Sequence, residues 1–187
     1  MEKLNTILIL ATARENSKSE KVAHFLNKEL DKRDDLKVEL VKVSDFPITF
    51  TNSSKSEKER LIWKEKVNNS DALIIVLPEY NRGYPGELKL LLDSAYVEYK
   101  NKPVSLVGVS SGIVGGARAV ENLKPVLTEL NMVVCRNAIY FSQIGEVFDD
   151  ENNLKDEKYL KALSLMADEL SWYGKVLKEG RNNYPEK

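Results

Sequence analysis

Thr12, Arg14, Ser17 and Ser19 fall within eight residues, directly after the apolar run at 7–10 and directly before an amphipathic stretch. Three hydroxyl donors, one planar cationic fork and the free N–H groups of a helix start converge on one small volume. That donor set suits a phosphate monoester, because the helix dipole, backbone amides and side-chain donors favour the same dianion. The same residues also suit a plain helix cap, with Asn16 or Ser17 accepting from the first turn and Arg14 in solvent. Their spacing leaves both readings open. The segment lacks the G-x-x-x-x-G-K-[ST] of a P-loop and the G-x-G-x-x-G of a dinucleotide fingerprint, which argues against an NTPase and a standard dinucleotide-binding dehydrogenase.

A second segment, 78–86, reads P-E-Y-N-R-G-Y-P-G. Two prolines and two glycines impose a fixed, non-repetitive backbone, and Tyr80 and Tyr84 add flat surfaces. A rigid turn that exposes amides beside aromatic rings can hold a planar heterocycle. It also reads as a tight connection in which Pro85 starts a helix. Nine residues exceed the roughly 2–6 of a usual strand-to-helix connection, which favours a binding loop. A third segment, 110–117, reads S-S-G-I-V-G-G-A. Its glycines let a backbone pass close to a ligand, or simply make a turn.

The third segment overlaps G-V-S-S-G at 108–112, a match to the G-x-S-x-G nucleophile elbow. Such a hydrolase needs a histidine downstream of its serine, and the only histidine, His24, lies upstream. Without a base Ser110 keeps an ordinary hydroxyl. The single cysteine, Cys135, closes the apolar run 132–135. It forms no internal disulfide and reads as a buried small hydrophobe. His24 reads as a helix-surface imidazole. One His and one Cys argue against any metal centre built on those ligands.

Lys and Arg total 28 against 29 Asp and Glu, a net charge of −1, so no basic footprint for nucleic acid is present. The 187-residue chain is 42% hydrophobic and 30% charged. That is the balance of one folded domain. A chain of this length buries roughly 70% of its unfolded surface. The N-terminal run followed by Ala11-Thr12-Ala13 imitates a signal peptide, and Glu2 offsets Lys3. Its apolar core is shorter than the roughly 7–15 residues such a peptide requires. No apolar run approaches the roughly 18 residues of a membrane span. The expected location is cytoplasmic, with no membrane partner.

These segments need elements to hold them. Residues 6–11, 38–43, 72–77, 104–109 and 132–141 read as strands. Most lack clean alternation, as parallel strands buried on both faces do. Between them Val22, Leu26 and Leu30 recur four apart, and Leu88, Leu91, Leu92, Ala95 and Tyr99 form one stripe. Val120, Leu123, Leu127 and Leu130 form another, and Leu160, Leu163, Ala167, Leu170 and Leu177 the last. Such spacings place each set on one helical face. The stretch 61–67 is the weakest helical pattern. A polar stretch at 51–59 and a frayed end after Gly180 are the only breaks expected. Strands alternating with helices predict a single three-layer α/β/α domain over 1–187, with a parallel sheet and ligands beyond the strands' carboxyl ends.

With its loops in place, the chain resembles the NADPH-dependent FMN reductase family, flavodoxin-like proteins that include quinone, azo-dye and chromate reductases. The likeness rests on P-E-Y-N at 78–81, on P-G-x-L-K at 85–89, on Asp93, and on a first loop similar to the family's G-S-x-R-x-x-S. With the Asp45-Phe46-Pro47 turn and the third, glycine-rich loop, it runs from about 7 to 142. It implies a five-stranded sheet of order 2-1-3-4-5 with FMN at the switch between strands one and three. By position, Thr12, Arg14, Ser17 and Ser19 would hold the phosphate. Pro78, Glu79, Tyr80 and Asn81 would line the isoalloxazine, and Ser110, Ser111, Gly112 and Gly115 would close its other side. Ala11-Thr12 stands where Gly-Ser is usual, and Gly83 where Ser is common. The resemblance further implies NAD(P)H as co-substrate, a small electron acceptor, and a homodimer or homotetramer with the flavin near the subunit boundary. A nicotinamide-independent FMN electron carrier and a flavin-free binding protein are the alternatives on the same fold.

Overall fold

The alternation of side chains along the first strand sets the architecture. Ile7 and Ile9 project to one face of the sheet and Leu8 and Leu10 to the other, and all four are buried. The third strand repeats this with Leu73, Ile75 and Leu77 against Ala72, Ile74 and Val76. A strand apolar on both faces needs helices on both. The computed structural model, which describes residues 2–51 and 54–184, has that arrangement.

The elements run β1 (Leu4–Leu10), α1 (Lys18–Leu30), β2 (Leu36–Lys42), α2 (Glu57–Asn68), β3 (Ala72–Pro78), α3 (Gly86–Leu92), β4 (Pro103–Val109), α4 (Ala117–Glu129), β5 (Val133–Val134), β6 (Ile139–Phe141) and α5 (Lys158–Asn183). Every strand pair is parallel, in the order β2-β1-β3-β4-β5, and β6 also pairs with β4. The expected flavodoxin-like topology is therefore present. Helices α2, α3 and α4 cover one face through Trp63, Leu88, Leu91 and Leu123, while α1 and α5 cover the other through Val22, Leu26, Leu163 and Leu170.

Four expectations need correction. The fifth strand is not continuous over 132–141: it breaks between β5 and β6, where the carboxylate of Glu169 on α5 accepts the N–H groups of Arg136 (3.0 Å) and Asn137 (2.7 Å). The stripe from Leu88 to Tyr99 is not one helix. Ser94 donates its hydroxyl to Leu90 O at 2.8 Å, just after α3 ends. Such a bond back to the preceding turn competes with the helical ladder. A separate 3-10 turn at Val97–Tyr99 carries Tyr99 into the same core, where Trp63 Nε1 donates to its hydroxyl at 2.8 Å. On α5 the buried row is Tyr159, Leu163, Met166, Ala167 and Leu170, whereas Leu160 lies on the surface. That helix also continues past Gly180 to Asn183, because Arg181 donates to Asn101 O and faces Asp71. Of the polar stretch 51–59, residues 52 and 53 lie outside the described residues, and Ser54–Ser56 already form the 3-10 turn leading into α2.

Candidate functional site

Because β1, β3 and β4 are neighbours and point the same way, the loops leaving their carboxyl ends lie side by side. They enclose a cavity of about 500 Å³. The first loop contributes Arg14, Ser17, Ser19 and also Glu15, Asn16 and Lys18; the second contributes Pro78, Glu79 and Tyr80; the third contributes Ser110 and Ser111, with Val109 beneath them and Ile144 from the segment after β6.

Ser17 is the N-cap of α1, and its hydroxyl oxygen accepts from Glu20 N at 3.2 Å. The capping reading is thus correct for the lone pair, yet the hydroxyl keeps its proton for a ligand. The first N–H groups of a helix have no partner within it, so those of Lys18 and Ser19 are available beside it. Arg14 and Lys18 add two exposed cations at this end. Hydroxyls, amides and positive charge therefore share one corner of the cavity.

Thr12 does not belong to that corner. It is buried and outside the lining. Its Oγ1 lies 2.9 Å from the Tyr80 hydroxyl, donates to Glu87 Oε1 at 3.2 Å and accepts from Arg14 N at 3.1 Å. Glu87 Oε1 also accepts from Ala13 N at 3.1 Å. The first and second loops are braced together by this carboxylate, which stands in the opening turn of α3.

In the second loop, Tyr80 and Gly83 exchange N–H···O bonds of 2.9 Å in both directions, closing a two-residue turn. Asn81 and Arg82 occupy its tip with φ of 49° and 68°. Left-handed backbone at both central positions is the type I′ geometry that suits Asn at the first and Gly at the second, so Arg82 is held in a conformation costly for its side chain. Asn81 is exposed at the tip, outside the cavity lining, and Pro85 is the N-cap of α3. Glu79 Oε1 accepts from Arg118 Nη1 of α4 at 3.0 Å, and its Oε2 is buried with no protein partner among the described residues.

Gly108 at the end of β4 and Gly115 in the third loop are required by packing. A Cβ on Gly108 would lie 2.5 Å from Gly115 O, and one on Gly115, where φ is +62°, would lie 2.8 Å from Tyr140 Cβ. Gly115 is consequently buried against β6 and Gly112 sits at the exposed tip, and neither lines the cavity. Ser110 donates its hydroxyl to Gly112 O at 3.1 Å. His24 is on the outer flank of α1, 3.8 Å from Glu20 Oε1, so the elbow pattern has no imidazole. Cys135 is buried, and burial pushes its thiol up to about 11.

Glu15, Asn16, Lys18, Val109 and Ile144 line the cavity and Glu87 braces it without having been singled out as site residues in the sequence. Lys18 and Glu87 stand in first turns where charged residues are commonplace, and Ile144 follows a strand break that the apolar run conceals. A larger groove of about 750 Å³ flanks α1 between Phe25 and Phe148 and meets the site only at Asn16 and Ser17. It opens on the side of the helix, away from the three strand-end loops.

The NADPH-dependent FMN reductase family model matches residues 4–146. The chain belongs to that family. It is 29% identical over 159 residues to a quinone reductase of Pseudomonas putida, covering 80% of this chain and 84% of that protein. An FMN-dependent NADPH-azoreductase of Staphylococcus aureus is 27% identical over 174 residues, covering 88% of this chain and 92% of the relative. Among solved structures, the flavoenzyme NAD(P)H:(acceptor) oxidoreductase FerB of Paracoccus denitrificans superposes with a TM-score of 0.77 at 25% identity, over 92% of this chain and 98% of FerB. The cofactor of the family is FMN, and the cavity fits it. Its lining combines the exposed cations Arg14 and Lys18 and the hydroxyls of Ser17 and Ser19 at a helix start with the flat and apolar surfaces of Pro78, Tyr80 and Val109. Among the described residues, no group of His, Cys, Asp and Glu could hold a metal ion, and no helix is long and apolar enough to cross a membrane.

Proposed function

We propose that this protein is an FMN-dependent NAD(P)H oxidoreductase acting on a small acceptor such as a quinone, an azo compound or a free flavin. The observation that carries the reading is the meeting of three strand-end loops around one cavity, cationic and hydroxyl-rich at the start of α1 and walled by Tyr80 and Pro78 beyond it. Arg14, Lys18, Ser17 and Ser19 hold the phosphate, with the amides of the first turn of α1. The backbone of 78–80 and of 110–111 flanks the ring. When bound, the flavin supplies the hydride chemistry, and the protein fixes its orientation and electronics. Tyr80 and Val109 exclude water from the ring, while Arg14 and Lys18 offset the phosphate charge. No side chain is required as a proton donor for hydride to enter, which suits a chain with one histidine on the outer flank of α1.

The protein acts in the cytoplasm as a homodimer in this reading. Ile113 is 81% exposed beside the cavity, and Phe50 is 70% exposed in the loop between β2 and α2. A second copy seated over these side chains would remove that apolar surface from water. Light scattering of the purified protein reads the mass, and a monomer would refute this part alone.

The test of the activity is spectroscopic. Incubated with FMN and desalted, the protein is expected to be yellow, to bleach on anaerobic NADPH or NADH, and to turn over a quinone. A colourless protein overturns the reading. A yellow protein that neither bleaches nor turns over is an electron carrier instead.

A further inference from the structure

Glu87 is the residue in which the first two loops meet, and the donors around it can be assigned one by one. A carboxylate only accepts, so the Thr12 hydroxyl donates to Glu87 Oε1. Thr12 has one proton, so in its 2.9 Å contact with Tyr80 it accepts, as it does from Arg14 N. Tyr80 therefore donates its O–H away from the cavity and presents only lone pairs and its ring to whatever occupies it. Ala13 N–H is likewise committed to Glu87. The chain Tyr80 to Thr12 to Glu87 ends in a negative charge two hydrogen bonds behind a residue that walls the cavity.

We propose that Glu87 is a positioning residue that acts through Thr12 on Tyr80. It fixes the Tyr80 ring, withdraws Thr12 and the Ala13 amide from the phosphate-binding set, and lowers the reduction potential of a flavin bound beside it. The proposal rests on the reading of the cavity as the flavin site. Reduction adds negative charge to the ring, and a fixed carboxylate nearby opposes that charge. Glu87→Gln keeps the shape and two acceptor lone pairs while removing the charge.

The experiment uses FMN-loaded wild type, Glu87→Gln, Thr12→Val and Thr12→Ser, with thermal midpoints confirming that each variant is folded. Midpoint potential and FMN dissociation constant are measured for all four. Glu87→Gln is expected to shift the potential in the positive direction with FMN affinity no weaker than wild type. Thr12→Val is expected to keep the dissociation constant within about threefold, whereas loss of a charge-assisted phosphate ligand costs about tenfold or more. Thr12→Ser, which retains the hydroxyl, is expected to match wild type in both. An unchanged potential in Glu87→Gln, or a tenfold loss of FMN in Thr12→Val, overturns the proposal and leaves the flavin site standing. A wild type that takes up no FMN overturns the flavin site and the proposal with it.

Discussion

Arg118 Nη1, one residue into α4, lies 3.0 Å from Glu79 Oε1 in the second loop. This bond ties the second loop to the helix that follows the third, and Glu79 is only 10% exposed. Arg118→Ala leaves its carboxylate buried with no cation, at a cost of about 1–3 kcal/mol. Urea unfolding measures it, and Glu79→Gln in the same background is expected to recover part of the loss. Equal stability of wild type and Arg118→Ala would make the pair incidental.

Arg14 is the test of the phosphate corner. Its guanidinium is exposed and stands beside the start of α1. Arg14→Ala is expected to weaken FMN binding by roughly 1.5–3 kcal/mol, the worth of a hydrogen bond to a charged group. Riboflavin, which has no phosphate, should bind wild type and variant alike. Titration of flavin fluorescence reads both.

Arg82 holds a left-handed backbone at the tip of the second loop. Arg82→Gly releases that strain, and the freedom gained by the unfolded chain offsets part of the gain, leaving a net stabilisation of up to about 1 kcal/mol. A lower urea midpoint in the variant would show that the side chain contributes more than its backbone costs.

Gly108→Ala addresses the third loop. The added methyl would meet Gly115 O at 2.5 Å. The expected cost is about 1–3 kcal/mol from forced displacement, together with weaker FMN binding as Ser110 and Ser111 shift. Normal stability with normal FMN affinity would mean the loop yields freely.

Asp35 provides a pH test of the frame. Arg33 grips it with Nε and Nη2 at 2.8 and 2.9 Å, and this hydrogen bonding lowers its carboxyl from the ordinary 3.8 to about 2. A depressed carboxyl contributes stability that is full above its unfolded value and lost as pH falls through the folded one. The advantage of wild type over Asp35→Asn should be constant above about pH 5 and shrink between about 4 and 2. Urea midpoints at stepped pH check the window; an advantage that persists undiminished at the acid end contradicts it.

Much of this was legible in the residues. The run at 72–77 named its strand because a parallel strand buried on both faces leaves no polar position to confuse the reading, and 104–109 was read the same way although Ser105 interrupts its apolar residues. The loops read at 11–19, 78–86 and 110–117 stood out because hydroxyls, prolines and glycines cluster there for local chemical reasons, and they are the loops that leave β1, β3 and β4. The bonds of Thr12 were not legible because its partners Tyr80 and Glu87 are 68 and 75 residues away, and no local pattern carries such a bond. The packing of Gly115 was hidden for a related reason: a glycine that clears a path for a ligand and one that makes room for Tyr140 look identical in sequence. The break after Cys135 was invisible because the carboxylate that draws Arg136 and Asn137 out of the ladder comes from α5.

That break also governs how the molecule meets its neighbours. A sheet border ordinarily offers a straight ladder on which a foreign strand can zip, the first step of fibre growth. Here the border beside β4 is two residues of β5, then three of β6, and the amides of Arg136 and Asn137 between them are already closed by Glu169. A passing chain finds no foothold longer than β6 itself. The sheet is thereby terminated on this side by the same helix that packs beneath it.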